Sequence, residues 1–254
     1  MSSRKERLKE VLNHKRPRMA VLLDPDKCVE GQKLRTFLKA CEENGVDLFL
    51  FGGSLITGEG AKDVLESIRL HSQIPVVLFP SHPSQIDPSA DGILFLSLIS
   101  GRQADYLIGH HVVASPMLSK TSLEVIPTGY MLVDGGRTTT AHYMSGSMPI
   151  PKDKPDIAMA TALAGMYLGM RLIYMDAGSG ALYPISQEMI SAVKSNLSIP
   201  LMIGGGIRTS EHAQNAVEAG ADIVVIGNAL EEAPELLQEL SIAIHASSHF
   251  KDRH

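Results

Sequence analysis

The feature that most constrains this chain is a series of eight short apolar runs, each bounded by Gly, Pro or Asp. They are MAVLLD (19–24), DLFLFGG (47–53), IPVVLFP (74–80), GILFLSLI (92–99), EVIPTGYMLVD (124–134), LIYMDA (172–177), IPLMIGG (199–205) and DIVVIGN (222–228). Their hydrophobicity is continuous rather than alternating, as expected of strands covered on both faces in a parallel sheet. Helical patterns separate most of them, for example GQKLRTFLKACEENG (31–45) and SEHAQNAVEAGAD (210–222). Eight alternating strand–helix units predict an α/β fold, a (β/α)8 TIM barrel. The chain has 254 residues with 44% apolar content, enough for one substantial core. Residues 1–254 are therefore read as a single TIM-barrel domain, with 1–18 a basic N-terminal helix or extension and 246–254 a frayed C-terminal tail.

Two places depart from a regular barrel. Between the third and fourth runs lies only SHPSQIDPSAD (81–91), with Pro83 and Pro88 inside it. Proline removes a backbone donor and clashes in a helix interior, so the third helix is expected to be missing or replaced by an irregular segment. The exposed flank is either a plain short linker or a groove for an elongated apolar ligand. PDIAMATALAGMYLGM (155–170) is apolar or small on every face after its first turn. Such a helix is covered by more than its own barrel, either as a subunit interface, which makes a homo-oligomer the expectation, or as the lining of a lipid groove.

Charge and cysteine content narrow the setting. Cys28 and Cys41 have no metal-ligand spacing and form no disulfide framework, which suggests a reducing, cytoplasmic compartment. The net charge is −5, and no nucleic-acid partner is expected. Residues 1–18 carry seven Lys/Arg against Glu6 and Glu10, a local +5 that leaves −10 for the rest. That segment solvates a first helix, or holds the protein peripherally at an anionic membrane. No apolar h-region follows it, and runs such as ILFL (93–96) are far below the ~20 residues of a spanning helix, so a soluble protein is expected.

The strand ends carry the chemistry. In this fold the active site lies at the C-terminal ends of the strands, and phosphate is commonly held after the seventh and eighth. The seventh ends in GGGIR (204–208) before a Thr209-Ser210 helix cap, and the eighth in Gly227-Asn228 before a helix near Leu230. Glycine lets backbone N–H groups approach a ligand closely, and a helix N-terminus adds partial positive charge. The sixth strand, ending in YMDAGSGA (174–181), adds a third wall with Ser179 as a hydroxyl donor. Across the mouth, the first strand ends in DPDK (24–27) and the second in Gly52-Gly53-Ser54. Asp24 and Ser54, few hard oxygens with room for water and phosphate, suit Mg²⁺; an ordinary helix cap and turn is the plainer reading. Two phosphorylated substrates meeting between these walls is the picture that results. His110-His111 is read as a satisfied or solvated pair, because adjacent residues do not readily converge on one ion. The long loop RTTTAHYMSGSMPIPKDKP (137–155), with His142-Tyr143, is read as a functional or interface loop.

DPDK, FGGS, FLSLISGR (95–102), EVIPTGYMLVDGG (124–136), YMDAGSGA, GGGIR and IGN occur in this order over nearly the whole chain. Together they closely resemble the geranylgeranylglyceryl phosphate synthase family, in its branch with the TGYMLVDGG fifth strand. The resemblance implies a TIM barrel whose third helix is replaced, and a prenyltransferase that joins a prenyl diphosphate to the C3 hydroxyl of sn-glycerol 1-phosphate with Mg²⁺ assistance. It implies that Asp24 and Ser54 ligate Mg²⁺ through the diphosphate. Glycerol phosphate would be held by Tyr174, Met175, Asp176, Ala177, Gly178, Ser179, Gly180, Gly205, Gly206, Gly227 and Asn228, with Asp176 and Tyr174 at its hydroxyl end as catalytic residues. The family usually has glutamate where this chain has Asp176, and its other branch has lysine where this chain has Leu22; Lys27 is not an equivalent position. Rival readings are a transferase with another phosphorylated three-carbon acceptor, a phosphosugar isomerase or lyase, and a silent ligand-binding barrel.

Overall fold

The computed structural model describes residues 3–13, 16–28, 31–58 and 60–246. Its strands are β1 (Arg18–Leu23), β2 (Leu48–Gly52), β3 (Val76–Phe79), β4 (Gly92–Leu98), β5 (Glu124–Leu132), β6 (Leu172–Asp176), β7 (Leu201–Gly204) and β8 (Ile223–Ile226). All neighbours are parallel, and pairing of Ala20 with Leu48 on one side of β1 and Arg18 with Ile223 on the other closes the barrel. The eight runs read from sequence are these strands, most of them trimmed at one or both ends where the chain turns into a loop.

Around the barrel stand α2 (Gln32–Glu43), α3 (Ala61–His71), α4 (His110–Leu118), α5 (Thr140–Ser145), α6 (Pro155–Tyr167), α7 (Gln187–Lys194), α8 (Ser210–Glu218), α9 (Asn228–Glu232) and α10 (Leu237–His245). Between β3 and β4 there is only a 3₁₀ turn, Pro83–Gln85, so the expected loss of an outer helix is what the chain does. The loop at 137–155 is less irregular than expected, since it contains α5 and a bridge from Ile150 to Val133. The helix expected near Leu230 begins at Asn228 and runs for only 5 residues.

Period-2 alternation splits the strands into two buried layers. Ala20, Leu50, Val77, Ile126, Leu172, Tyr174, Met202 and Val225 point into the barrel. Met19, Val21, Phe49, Val76, Ile173, Met175, Ile203 and Val224 point out to the helices. The basic segment has a structural use: α1 (Arg4–Asn13) packs Leu8, Val11 and Leu12 into the inner layer, and its Arg4 donates to the Arg69 and Ser72 carbonyls at the end of α3. The face of α6 against the barrel is built from Ala158, Ala162 and Gly165, while Ile157, Tyr167 and the following Leu168 are exposed. The expected tail at 246–254 lies outside the described residues from 247 onward. No helix among the described residues is long and apolar enough to cross a membrane.

Candidate active site

The C-terminal ends of β1, β2, β6, β7 and β8 surround a small polar cavity of ≈ 70 Å³. Asp24 and Lys27 enter from β1, Gly53 and Ser54 from β2, Asp176 and Gly178–Gly180 from β6, Gly205–Arg208 from β7, and Gly227, Asn228 and Glu231 from β8. Alternation along β6 explains which of its residues arrive: Tyr174 and Asp176 share the inward face. Ser179 Oγ donates to Asn228 Oδ1 at 2.9 Å, tying the β6 and β8 loops together. Gly205 has φ +80°, and a side chain there would begin 2.6 Å from the Gly178 nitrogen and 2.8 Å from Asp176 Oδ1. At Gly204 the obstruction would be the Tyr174 hydroxyl, at 2.6 Å. Glycine is therefore required there for close approach as well as for conformation.

Asp176 is the buried acid of this cavity, at 7% exposure. Its Oδ2 accepts from the Tyr130 hydroxyl at 2.6 Å, and its Oδ1 accepts from the Gly178 N–H at 2.7 Å. Burial raises its pKa above the ordinary carboxylate range; the two hydrogen bonds and the nearby His142 oppose that shift without cancelling it. Burial lowers the pKa of His142, and its Nε2 has no hydrogen-bond partner among the described residues. The phenols of Tyr130 and Tyr174 are held well above 10, first by burial and then by the Asp176 charge, so both stay protonated.

Beside the polar cavity runs an apolar groove of ≈ 480 Å³. It lies on the flank left open by the missing helix, between Ile86, Phe95, Leu96, Tyr106, Ala114 and Met144. The chain preceding α4 forms one wide π turn, Asp105–Gly109, over this groove. Of the pair His110-His111, His111 is buried with its Nε2 3.2 Å from Ser97 Oγ, while His110 meets the rings of His82 and Tyr106 at the groove wall. Groove and polar cavity meet at Gly53, Ser54 and Phe79, which line both. Phe79, Tyr130 and Tyr174 form a three-ring wall at that junction, with centroids 5.3 to 5.7 Å apart.

Most of the residues read from sequence converge here: Asp24, Ser54, Tyr174, Asp176, Gly178, Ser179, Gly180, Gly205, Gly206, Gly227 and Asn228 all line the polar cavity. Met175 and Ala177 do not. Their side chains fall on the outward face of the strand and are buried in the outer layer, and the Ala177 N–H is bonded to the Gly204 carbonyl. Treating the sixth-strand motif as contiguous overlooked the pleat. Residues missed from sequence are Tyr130, Phe79, Arg208, Glu231 and Lys27. Lys27 reaches the cavity from beyond the strand end, 2.9 Å from Glu231 and 3.9 Å from Asp24. Arg208 donates to the Ala181 carbonyl at 3.1 Å, and the Arg137 guanidinium carbon lies 3.8 Å from where a Gly180 side chain would begin. Tyr130 stood inside a quoted motif; counting alternate residues back from the end of β5 would have pointed it inward.

Among the described residues no three His, Cys, Asp or Glu side chains gather into a metal cage. The donors at the β1 and β2 ends are the Asp24 carboxylate and the Ser54 hydroxyl, and a side chain at Gly53 would begin 3.5 Å from that carboxylate. Two hard oxygens beside a glycine-walled polar cavity are a donor set that fits a hard divalent cation with its remaining ligands drawn from elsewhere.

The PcrB family model matches residues 11–244. The geranylgeranylglyceryl phosphate synthase of Spirosoma linguale is 53% identical over 229 residues, 90% of this chain and 92% of that protein. The Korarchaeum cryptofilum protein of the same name is 38% identical, covering 86% and 89% respectively. Among solved structures, (S)-3-O-geranylgeranylglyceryl phosphate synthase from Thermoplasma acidophilum, in complex with its substrate sn-glycerol-1-phosphate, aligns over 97% of this chain and 100% of that one, with TM-score 0.87 and 33% identity.

Proposed function

The chain belongs to the PcrB family, and on that premise we propose that it is a prenyltransferase joining a prenyl diphosphate to the C3 hydroxyl of sn-glycerol 1-phosphate. The observation that carries this reading is the meeting of an apolar groove and a glycine-walled polar cavity at Gly53, Ser54 and Phe79, with Asp176 on the polar side. The groove takes the prenyl chain. The Gly178–Gly180, Gly205–Gly206 and Gly227–Asn228 loops take the phosphate, with Arg208 and Lys27 as the nearby cations. The acceptor hydroxyl then lies toward Asp176.

In the reaction the glycerol oxygen forms a bond to the allylic C1 as the bond from C1 to the diphosphate oxygen breaks. The two bonding electrons leave with pyrophosphate, and Asp176 orients the hydroxyl and accepts its proton. A carboxylate whose pKa burial has raised is a better proton acceptor than an ordinary one when ionised, which suits this task. Asp24 and Ser54 would hold Mg²⁺, which stabilises charge building on the leaving diphosphate. A phosphosugar isomerase would leave the apolar groove without a use. Exposed Val112, Val113 and Met117 near α4, with Ile157, Tyr167 and Leu168 along α6, support a homo-oligomer.

The test is incubation of purified protein with Mg²⁺, radiolabelled glycerol 1-phosphate and prenyl diphosphates of several lengths, followed by organic extraction. Label entering the organic phase is expected. Its absence at every chain length would sink the reading, and label entering only with another three-carbon phosphate would reassign the acceptor.

A further inference from the structure

Tyr130 touches both cavities with different ends. Its ring lines the apolar groove, and its hydroxyl reaches through the wall to donate to Asp176, which lines the polar cavity. Register explains the reach. Tyr130 pairs with Tyr174 across β5 and β6, so a long side chain leaning along the strand meets the next inward residue, Asp176. The ring itself is fixed, 5.7 Å from Phe79 at 70° and 5.3 Å from Tyr174 at 65°, with 9% exposure.

The other carboxylate oxygen is held by the Gly178 N–H at 2.7 Å. A carboxylate gripped at both oxygens cannot turn about its terminal torsion, yet each oxygen keeps a second lone pair for an incoming hydroxyl. We infer that Tyr130 is a positioning residue, fixing the plane of the Asp176 carboxylate relative to the groove so that the acceptor hydroxyl is presented to the reacting end of the prenyl chain. This rests on the transferase reading. A shift of about 1 Å in a positioned reactant can cost on the order of 100-fold in rate, which is what such a grip prevents.

The other groups around Asp176 do different work. Tyr174 stands on the same strand and His142 on α5, while Asp24, Lys27, Glu231 and, from the end of β7, Arg208 are the charged groups elsewhere on the cavity wall. A hydrogen bond donated to the ionised form favours that form, so removing the Tyr130 hydroxyl raises the Asp176 pKa.

Steady-state kinetics of the wild type, Tyr130→Phe, Asp176→Asn and the double variant across pH test the inference. Tyr130→Phe keeps the ring, so KM for the prenyl diphosphate is expected to stay within about twofold while kcat falls about tenfold, equivalent to about 1.4 kcal/mol. The acid limb of its kcat/KM profile moves to higher pH, and its loss disappears in the Asp176→Asn background. A wild-type rate and profile for Tyr130→Phe, or a loss that persists undiminished without the Asp176 carboxylate, overturns the positioning role alone. No product from the wild type overturns the transferase reading and this inference with it.

Discussion

At the scale of single residues, Asp176 carries opposed demands. Burial raises its pKa, so the native state binds its proton more tightly than the unfolded chain does, and stability falls as pH rises through its titration. Replacing it with asparagine removes a buried charge. Urea denaturation is expected to find Asp176→Asn gaining stability relative to the wild type at neutral pH, with the difference shrinking as pH falls through the Asp176 titration. A pH-independent difference would contradict the assignment. The same variant is expected to lose on the order of 100-fold in kcat while retaining its affinity for glycerol phosphate, measured by calorimetry, since orientation and proton acceptance are lost but the phosphate loops are not. Gly205 is constrained differently. With φ +80° and backbone within 2.6 Å of a would-be side chain, Gly205→Ala is expected to cost about 1–3 kcal/mol in the denaturation midpoint.

At the scale of elements, what the chain omits matters as much as what it forms. Pro83 and Pro88 prevent a regular helix between β3 and β4, and the uncovered flank becomes the groove. The sequence carried that deletion openly, because proline acts locally. It did not carry the opposite wall, where the π turn Asp105–Gly109 and α4 bring Ala114 against the space. Ala114→Phe is expected to fill part of the groove and lower kcat/KM for long prenyl diphosphates about tenfold relative to short ones, since apolar pocket contacts are worth about 1–3 kcal/mol. Competition between chain lengths in one reaction mixture measures this directly, and equal losses at all lengths would place Ala114 outside the chain's path. The short α5 was read as loop for a related reason: its 6 residues offer too little periodicity to recognise, although Gly146 in the left-handed conformation closes it.

At the scale of the whole molecule, the last helix is tied to the start of the barrel where the chain enters β1 and β2. Asp47 accepts from Arg18 at 2.6 Å, from the Met19 N–H at 2.9 Å and contacts His245 of α10 at 2.9 Å. Burial alone would raise its pKa, but these partners outweigh burial and hold it below the ordinary value. Its contribution is therefore present above the unfolded carboxylate pKa and lost as pH falls through the lowered one. Asp47→Asn is expected to cost about 1–3 kcal/mol at neutral pH, a penalty that narrows in acid, as equilibrium denaturation at two pH values would measure. The sequence by itself determined the eight strands, their parallel closure, the missing helix and the glycine loops. Each of these follows from local patterning, from a backbone rule, or from a short motif at a strand end. Tertiary structure alone decided that Met175 and Ala177 turn away from the site, that Lys27 comes back into it, and that Tyr130 grips Asp176. Those outcomes depend on strand register and on barrel curvature, which bring together residues 46 apart in the chain and which no local pattern encodes.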